Sequence, residues 1–126
     1  MIENLLQMRD IVSEAIGGKC YLEYPREKIT KARPFAVVSM VGNYPVLYES
    51  DYTEVMAQIT YNIHIYAKSQ TDVLTYVGQV SDACAQIGFT RLATTPLWEH
   101  PTHGPYQILT VQAVLDKRGN TFTTYM

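Results

Sequence analysis

Three histidines are the first residues to weigh for chemistry. His100 and His103 stand in "WEHPTH" beside Glu99. Two imidazoles and a carboxylate so close together resemble the start of a zinc site. Such sites need three or four firmly oriented ligands and a supporting second shell. The loop adds no further Cys or Asp, and His64 lies in a distant segment, so the ligand count argues against metal. His64 itself has Asn62 and Tyr66 on its own face in "VMAQITYNIHIYAKS". A general base needs an orienting partner and a nucleophile within hydrogen-bond reach. The chain offers no GxSxG elbow and no Cys with a His nearby, and it lacks the GxxxxGK[ST] and GxGxxG phosphate loops. A hydrolase built on His64 or the His100/His103 loop is therefore disfavoured, and no cofactor is expected. Cys20 and Cys84 match no CxxC spacing. Cys84 falls on an apolar helical stripe, which predicts a buried, reduced thiol of a cytoplasmic protein.

The charged residues are few and unevenly placed. They make up 17% of the 126 residues, against about 25% in ordinary soluble domains. Four of the ten cations, Arg26, Lys28, Lys31 and Arg33, fall within "REKITKAR". That segment suits an electrostatic contact with an acidic neighbour better than a DNA clamp, because the net charge is −2 and nucleic-acid binders are usually basic. Ten Tyr also favour interfaces, since the ring offers contact area with a polar tip. No apolar run approaches the roughly 18 residues of a membrane span. The start "MIENLLQMRDIV" lacks the basic head and unbroken apolar core of a signal peptide.

Hydrophobic periodicity supplies the elements that would position these residues. Residues 2–16 place Ile2, Leu5, Leu6, Val12 and Ile16 on one side at helical spacing, ended by Gly17-Gly18. "CYLEYP" reads as a short strand, with Pro25 suited to an edge. Residues 34–42, "PFAVVSMVG", read as a central strand covered on both faces, and "NYPVLYESD" as a turn or extended loop. The alternation in 53–67 predicts a long strand, with Ile59, Tyr61, Ile63 and Ile65 inward and Gln58, Thr60, Asn62, His64 and Tyr66 outward. A strand so much longer than the usual five or six residues is expected to project past its sheet or bend through a bulge.

A second helix follows, with Val73, Val77, Val80, Cys84 and Ile87 as its stripe. Ser69 and Asp72 form its capping box, and Gly88 and Phe89 close it. "FTRLATTPLWE" is a strand broken by Pro96, "HPTHGP" a loop and "YQILTVQAVLDK" the last strand. Residues 117–126 lack periodicity and suit a mobile arm of the single domain 1–126. The order α-β-β-β-α-β-β predicts an α+β two-layer sandwich, a mainly antiparallel sheet with both helices on one face.

These features together resemble the tail-terminator, or tail-completion, proteins of long-tailed bacteriophages. The resemblance spans about residues 2–117. It rests on the opening helix, "RPFAVVSMVG", "EVMAQITYNIHIYAKSQ", the helix ending in "IGFTRL" with Gly88, Phe89 and Arg91, and "YQILTVQAVLD". The Pro-rich "PLWEHPTHGP" departs from the pattern. The resemblance implies a non-enzymatic virion protein in the tail or neck, assembled in the host cytoplasm. Its members form a hexameric ring on the tail tube, stop tube growth and dock to the head-completion or connector protein. Genomic DNA passes through the lumen without sequence-specific binding. A head–tail connector is the neighbouring alternative, and a small ligand-binding module is the alternative of another class. The contact residues expected are Gln58, Thr60, Asn62, His64 and Tyr66 on the long strand, with Arg26, Lys28, Lys31 and Arg33 in the basic segment.

Overall fold

Two glycines set how the chain enters its sheet. Gly17 has φ 65°, the left-handed conformation that stops a helix. At Gly18 a Cβ would run into the carbonyl oxygen of Pro34, so the end of the first helix sits against the start of the strand at 35. Ser13 Oγ donates to the Gly18 carbonyl at 2.6 Å and ties the turn back to the helix.

The computed structural model describes residues 2–22, 34–48, 54–101, 104–116 and 121–122, with side chains for 6–22, 34–41, 58–101 and 104–114. Among these, the elements run α1 (Ile2–Ile16), β1 (Lys19–Leu22), β2 (Phe35–Tyr48), β3 (Glu54–Tyr66), α2 (Gln70–Gln86), β4 (Thr90–Thr94), β5 (Trp98–His100), β6 (Gly104–Asp116) and β7 (Thr121–Phe122). The sheet order is β1-β2-β3-β6-β4, with β5 and β7 also paired to β6. The architecture is α+β, with two helices against one sheet.

The helices cover a single face. Met8, Val12 and Ile16 of α1 and Val73, Val77, Val80 and Cys84 of α2 share one core with Ala36, Val38, Ile59, Tyr61, Ile63, Ile65, Leu109, Val111 and Ala113 of the sheet. The inward set expected on the long strand is buried throughout. In α1 the stripe is corrected: Met8 is buried, while Leu6 is 37% exposed. At α2, Ser69 Oγ accepts the Asp72 N–H at 3.2 Å. Gly88 at φ 89° lets the Phe89 N–H reach the Cys84 carbonyl at 3.0 Å and the Gly88 N–H reach Ala85 at 3.1 Å. That double bond pattern is a Schellman stop.

The pairing adds to or corrects the sequence reading at four points. First, β1 joins β2 in parallel, Lys19 opposite Phe35 and Leu22 opposite Val38. The dozen or so residues between them match the length a parallel crossover needs rather than a tight hairpin. Second, "NYPVLY" continues β2 instead of turning: Tyr44 pairs with Gln58, Pro45 with Ala57 and Tyr48 with Glu54. β1 ends at Leu22, opposite Val38, so this part of β2 has β3 as its only partner among the described strands, and its register shifts around Pro45. Edges and bulges are where a strand tolerates proline. Third, residues after Pro96 form a separate short strand, β5, so four strands follow α2 rather than two. Fourth, Thr121–Phe122 pair with Leu115 and Val114 of β6, so this part of the expected arm is sheet. Residues 117–120 and 123–126 lie outside the described residues.

Candidate interaction face

Alternation along three strands builds the face that the helices leave uncovered. Because β3 pairs antiparallel with both β2 and β6, residues directly opposite share a face. The outward residues therefore fall into rows across the sheet. Val37, His64 and Ile108 form one row; Ser39, Asn62 and Thr110 the next; Thr60 and Gln112 a third; Gln58 and Val114 a fourth. No helix or strand of the described residues lies over these rows, and their side chains are half-buried, apart from the buried Val37.

The polar rows bond among themselves. Thr110 Oγ1 donates to Asn62 Oδ1 at 2.7 Å, and Gln112 Nε2 donates to Thr60 Oγ1 at 3.2 Å. Thr95 extends the order at the β6 edge, its hydroxyl accepting the Ile108 N–H at 3.0 Å and its carbonyl accepting Gln107 Nε2 at 2.6 Å. Not one of the residues in the four rows is an Asp, Glu, Lys or Arg. A surface of hydroxyls, amides and aliphatic groups without charge has the composition of an interface centre, where charged residues are depleted.

One end of this face is aromatic. Tyr66 stacks on Phe35 with centroids 4.5 Å apart and on Tyr106 at 4.9 Å. Trp98 meets Tyr106 edge-on at 5.8 Å, His100 meets it at 6.3 Å, and Tyr21 meets Phe35 at 6.1 Å. Tyr66 is only 1% exposed. The expectation that it offers contact surface is therefore corrected: its own protomer covers it, since its row lies in the aromatic stack. Trp98, 45% exposed, is the aromatic this end presents instead.

His64 lies between the aromatic and polar zones, its ring parallel to Tyr106 at 6.5 Å. Burial pulls its pKa below 6.5 by penalising the charged form. The imidazole is thus neutral at pH 7, in keeping with the uncharged rows around it.

Gln58, Thr60, Asn62 and His64 are brought together on the open face. Arg26, Lys28, Lys31, Arg33 and His103 lie outside the described residues. Sequence reasoning did not place Thr110 and Gln112 in the site, although both fall at alternate positions of "YQILTVQAVLDK", on one face with Tyr106, Ile108 and Val114. The antiparallel register that makes them partners of Asn62 and Thr60 was the missing signal.

Among the described residues no three of His, Cys, Asp and Glu gather to hold a metal, and no helix is long and apolar enough to cross a membrane. Cys20 and Cys84 are free thiols. Burial pushes both up to about 12, with Arg9 lowering and Asp10 raising Cys20 as smaller influences. Compared with known proteins, the chain matches no protein-family model and no curated protein.

Proposed function

We propose that this chain is a structural virion subunit of the tail-terminator kind. In this reading it forms a ring on the phage tail tube, ends tube growth and presents the surface to which the head side docks. One dimension of the fold carries the reading. β2, β3 and β6 have 14, 13 and 13 residues, about 44–48 Å at roughly 3.4 Å per residue. The helices laid on them have 15 and 17 residues, about 22–26 Å at roughly 1.5 Å per residue.

Helices half the length of the strands cannot cover the whole sheet, so part of the β2–β3 hairpin and of β6 extends past the two-layer body. An extension that reaches the Tyr48–Glu54 pair, together with an uncharged open face, supplies two different contact surfaces on one protomer. Contacts between unlike surfaces generate rings when the rotation closes. The tail tube protein and the head-completion protein are the partners of this reading, and DNA passes through the lumen without base recognition.

Tube assembly in vitro tests it. Purified tube protein grown with and without this chain is examined by negative-stain electron microscopy. Tubes should stop lengthening once the chain is added and carry a ring of six copies at one end. Tubes that keep growing at the same rate, with bare ends, refute the proposal.

A further inference from the structure

The two helices of this molecule carry an acidic excess. The segments of α1 and α2 hold five carboxylates (Glu3, Asp10, Glu14, Asp72 and Asp82) against one cation, Arg9, a net −4 in a chain whose total is −2. Everything outside the helices is therefore net +2. Arg9 is engaged by its neighbour Asp10 at 3.1 Å, and no cation among the described residues pairs with Glu14 or Asp82.

Those two carboxylates stand on opposite rims of an open groove of about 500 Å³ between the helices. Its floor is apolar: Ile11 and Ala15 from α1, Ala83 from α2 and Ile87 just past its end, all half-buried. The alanines keep the seam open, because small side chains at facing positions leave space that larger ones would fill. A groove with an apolar floor and one acid on each wall suits a segment that offers an apolar side chain flanked by cations.

The chain contains one such segment. In "REKITKAR", Ile29 lies between Lys28 and Lys31, with Arg26 and Arg33 beyond, for a net +3 over residues 26–33. We infer that the helical groove of one copy receives residues 26–33 of a second copy, Lys28 and Lys31 meeting Glu14 and Asp82 while Ile29 enters the floor. The inference rests on the ring reading above and deepens it. Groove and segment are unlike surfaces, so the contact is head-to-tail, the type that closes into rings. It also assigns a partner to the four cations that the open sheet face does not use.

Charge reversal of the full chain tests this, read as assembly mass by sedimentation velocity across concentration and salt. Glu14→Lys with Asp82→Lys should weaken self-association tenfold or more, as should Lys28→Glu with Lys31→Glu. Mixing these two variants should restore it, because each then offers the other a complementary groove and segment in alternation. The chain carrying all four substitutions should also assemble within a few-fold of the original.

Wild-type association that ignores both reversals, or a mixture that stays as weak as its components, overturns the inference while leaving the ring reading standing. Recovery in the four-fold variant without recovery in the mixture overturns it too, since that pattern means the segment pairs within its own chain. A wild-type chain that stays monomeric at every concentration overturns it as well, and tube-length control then judges the ring reading separately.

Discussion

Tyr61→Phe should make the protein more stable. Tyr61 is fully buried on β3 beneath the helices, its ring 5.7 Å from Phe89, and its hydroxyl oxygen has no hydrogen-bond partner among the described residues. Burial pushes this phenol up to about 12, consistent with an oxygen removed from water. A hydroxyl buried without a partner costs about 1–3 kcal/mol. Phe removes that cost while leaving a space one oxygen wide, whose lost contacts take back a few tenths of a kcal/mol. The net expectation is a gain of about 1 kcal/mol. Unfolding entropy near 2.1 cal/mol/K per residue over 126 residues is about 0.26 kcal/mol/K, so the melting temperature should rise about 4 °C. Thermal melts followed by circular dichroism read the shift. Urea titration should show a higher midpoint with an unchanged slope, the mark of a pure stability effect. A loss of 1 kcal/mol or more would refute the reasoning, because it would mean that the hydroxyl is satisfied, for instance by a buried water.

Asn62→Asp keeps the acceptor that Thr110 uses, so stability should change by no more than about 0.5 kcal/mol. Assembly should still weaken at least tenfold because a charge enters the open face; unaltered assembly would remove this face from the interface. Gly18→Ala should cost about 1–3 kcal/mol, since the new methyl meets the Pro34 carbonyl; an unaltered urea midpoint would show that the turn yields freely.

His64 takes up its proton in the unfolded chain near pH 6.5 but at a lower pH when folded. The unfolded state then binds more protons, so stability should fall as pH drops below about 6.5; a His64→Gln chain that drifts equally would reject this. The raised thiols act at the other end of the scale. The folded chain retains protons that the unfolded one loses above about pH 9, so stability should decline from there to about pH 12, less steeply in Cys84→Ala. Identical slopes would exclude Cys84 as a source.

Local periodicity determined which residues of β3 and α2 face inward. Period-two alternation placed Ile59, Tyr61, Ile63 and Ile65 in the core, and 3.6-residue spacing did the same for Val73, Val77, Val80 and Cys84, because a side chain's direction follows directly from backbone geometry. Both stops, at Gly17 and Gly88, were also local matters of left-handed backbone. The same periodicity put Gln58, Thr60, Asn62 and His64 on one outward face.

What lies opposite a residue depends on register, and register comes from segments far apart in the chain. Only the folded sheet decided that β1 runs parallel to β2, that Pro45 sits within a strand, and that Trp98–His100 and Thr121–Phe122 line the edge of β6. Only it joined Thr110 to Asn62, and Gln112 to Thr60. Tyr66 shows the division within one residue: alternation pointed it outward, and the stack of Phe35 and Tyr106 from neighbouring strands buried it there.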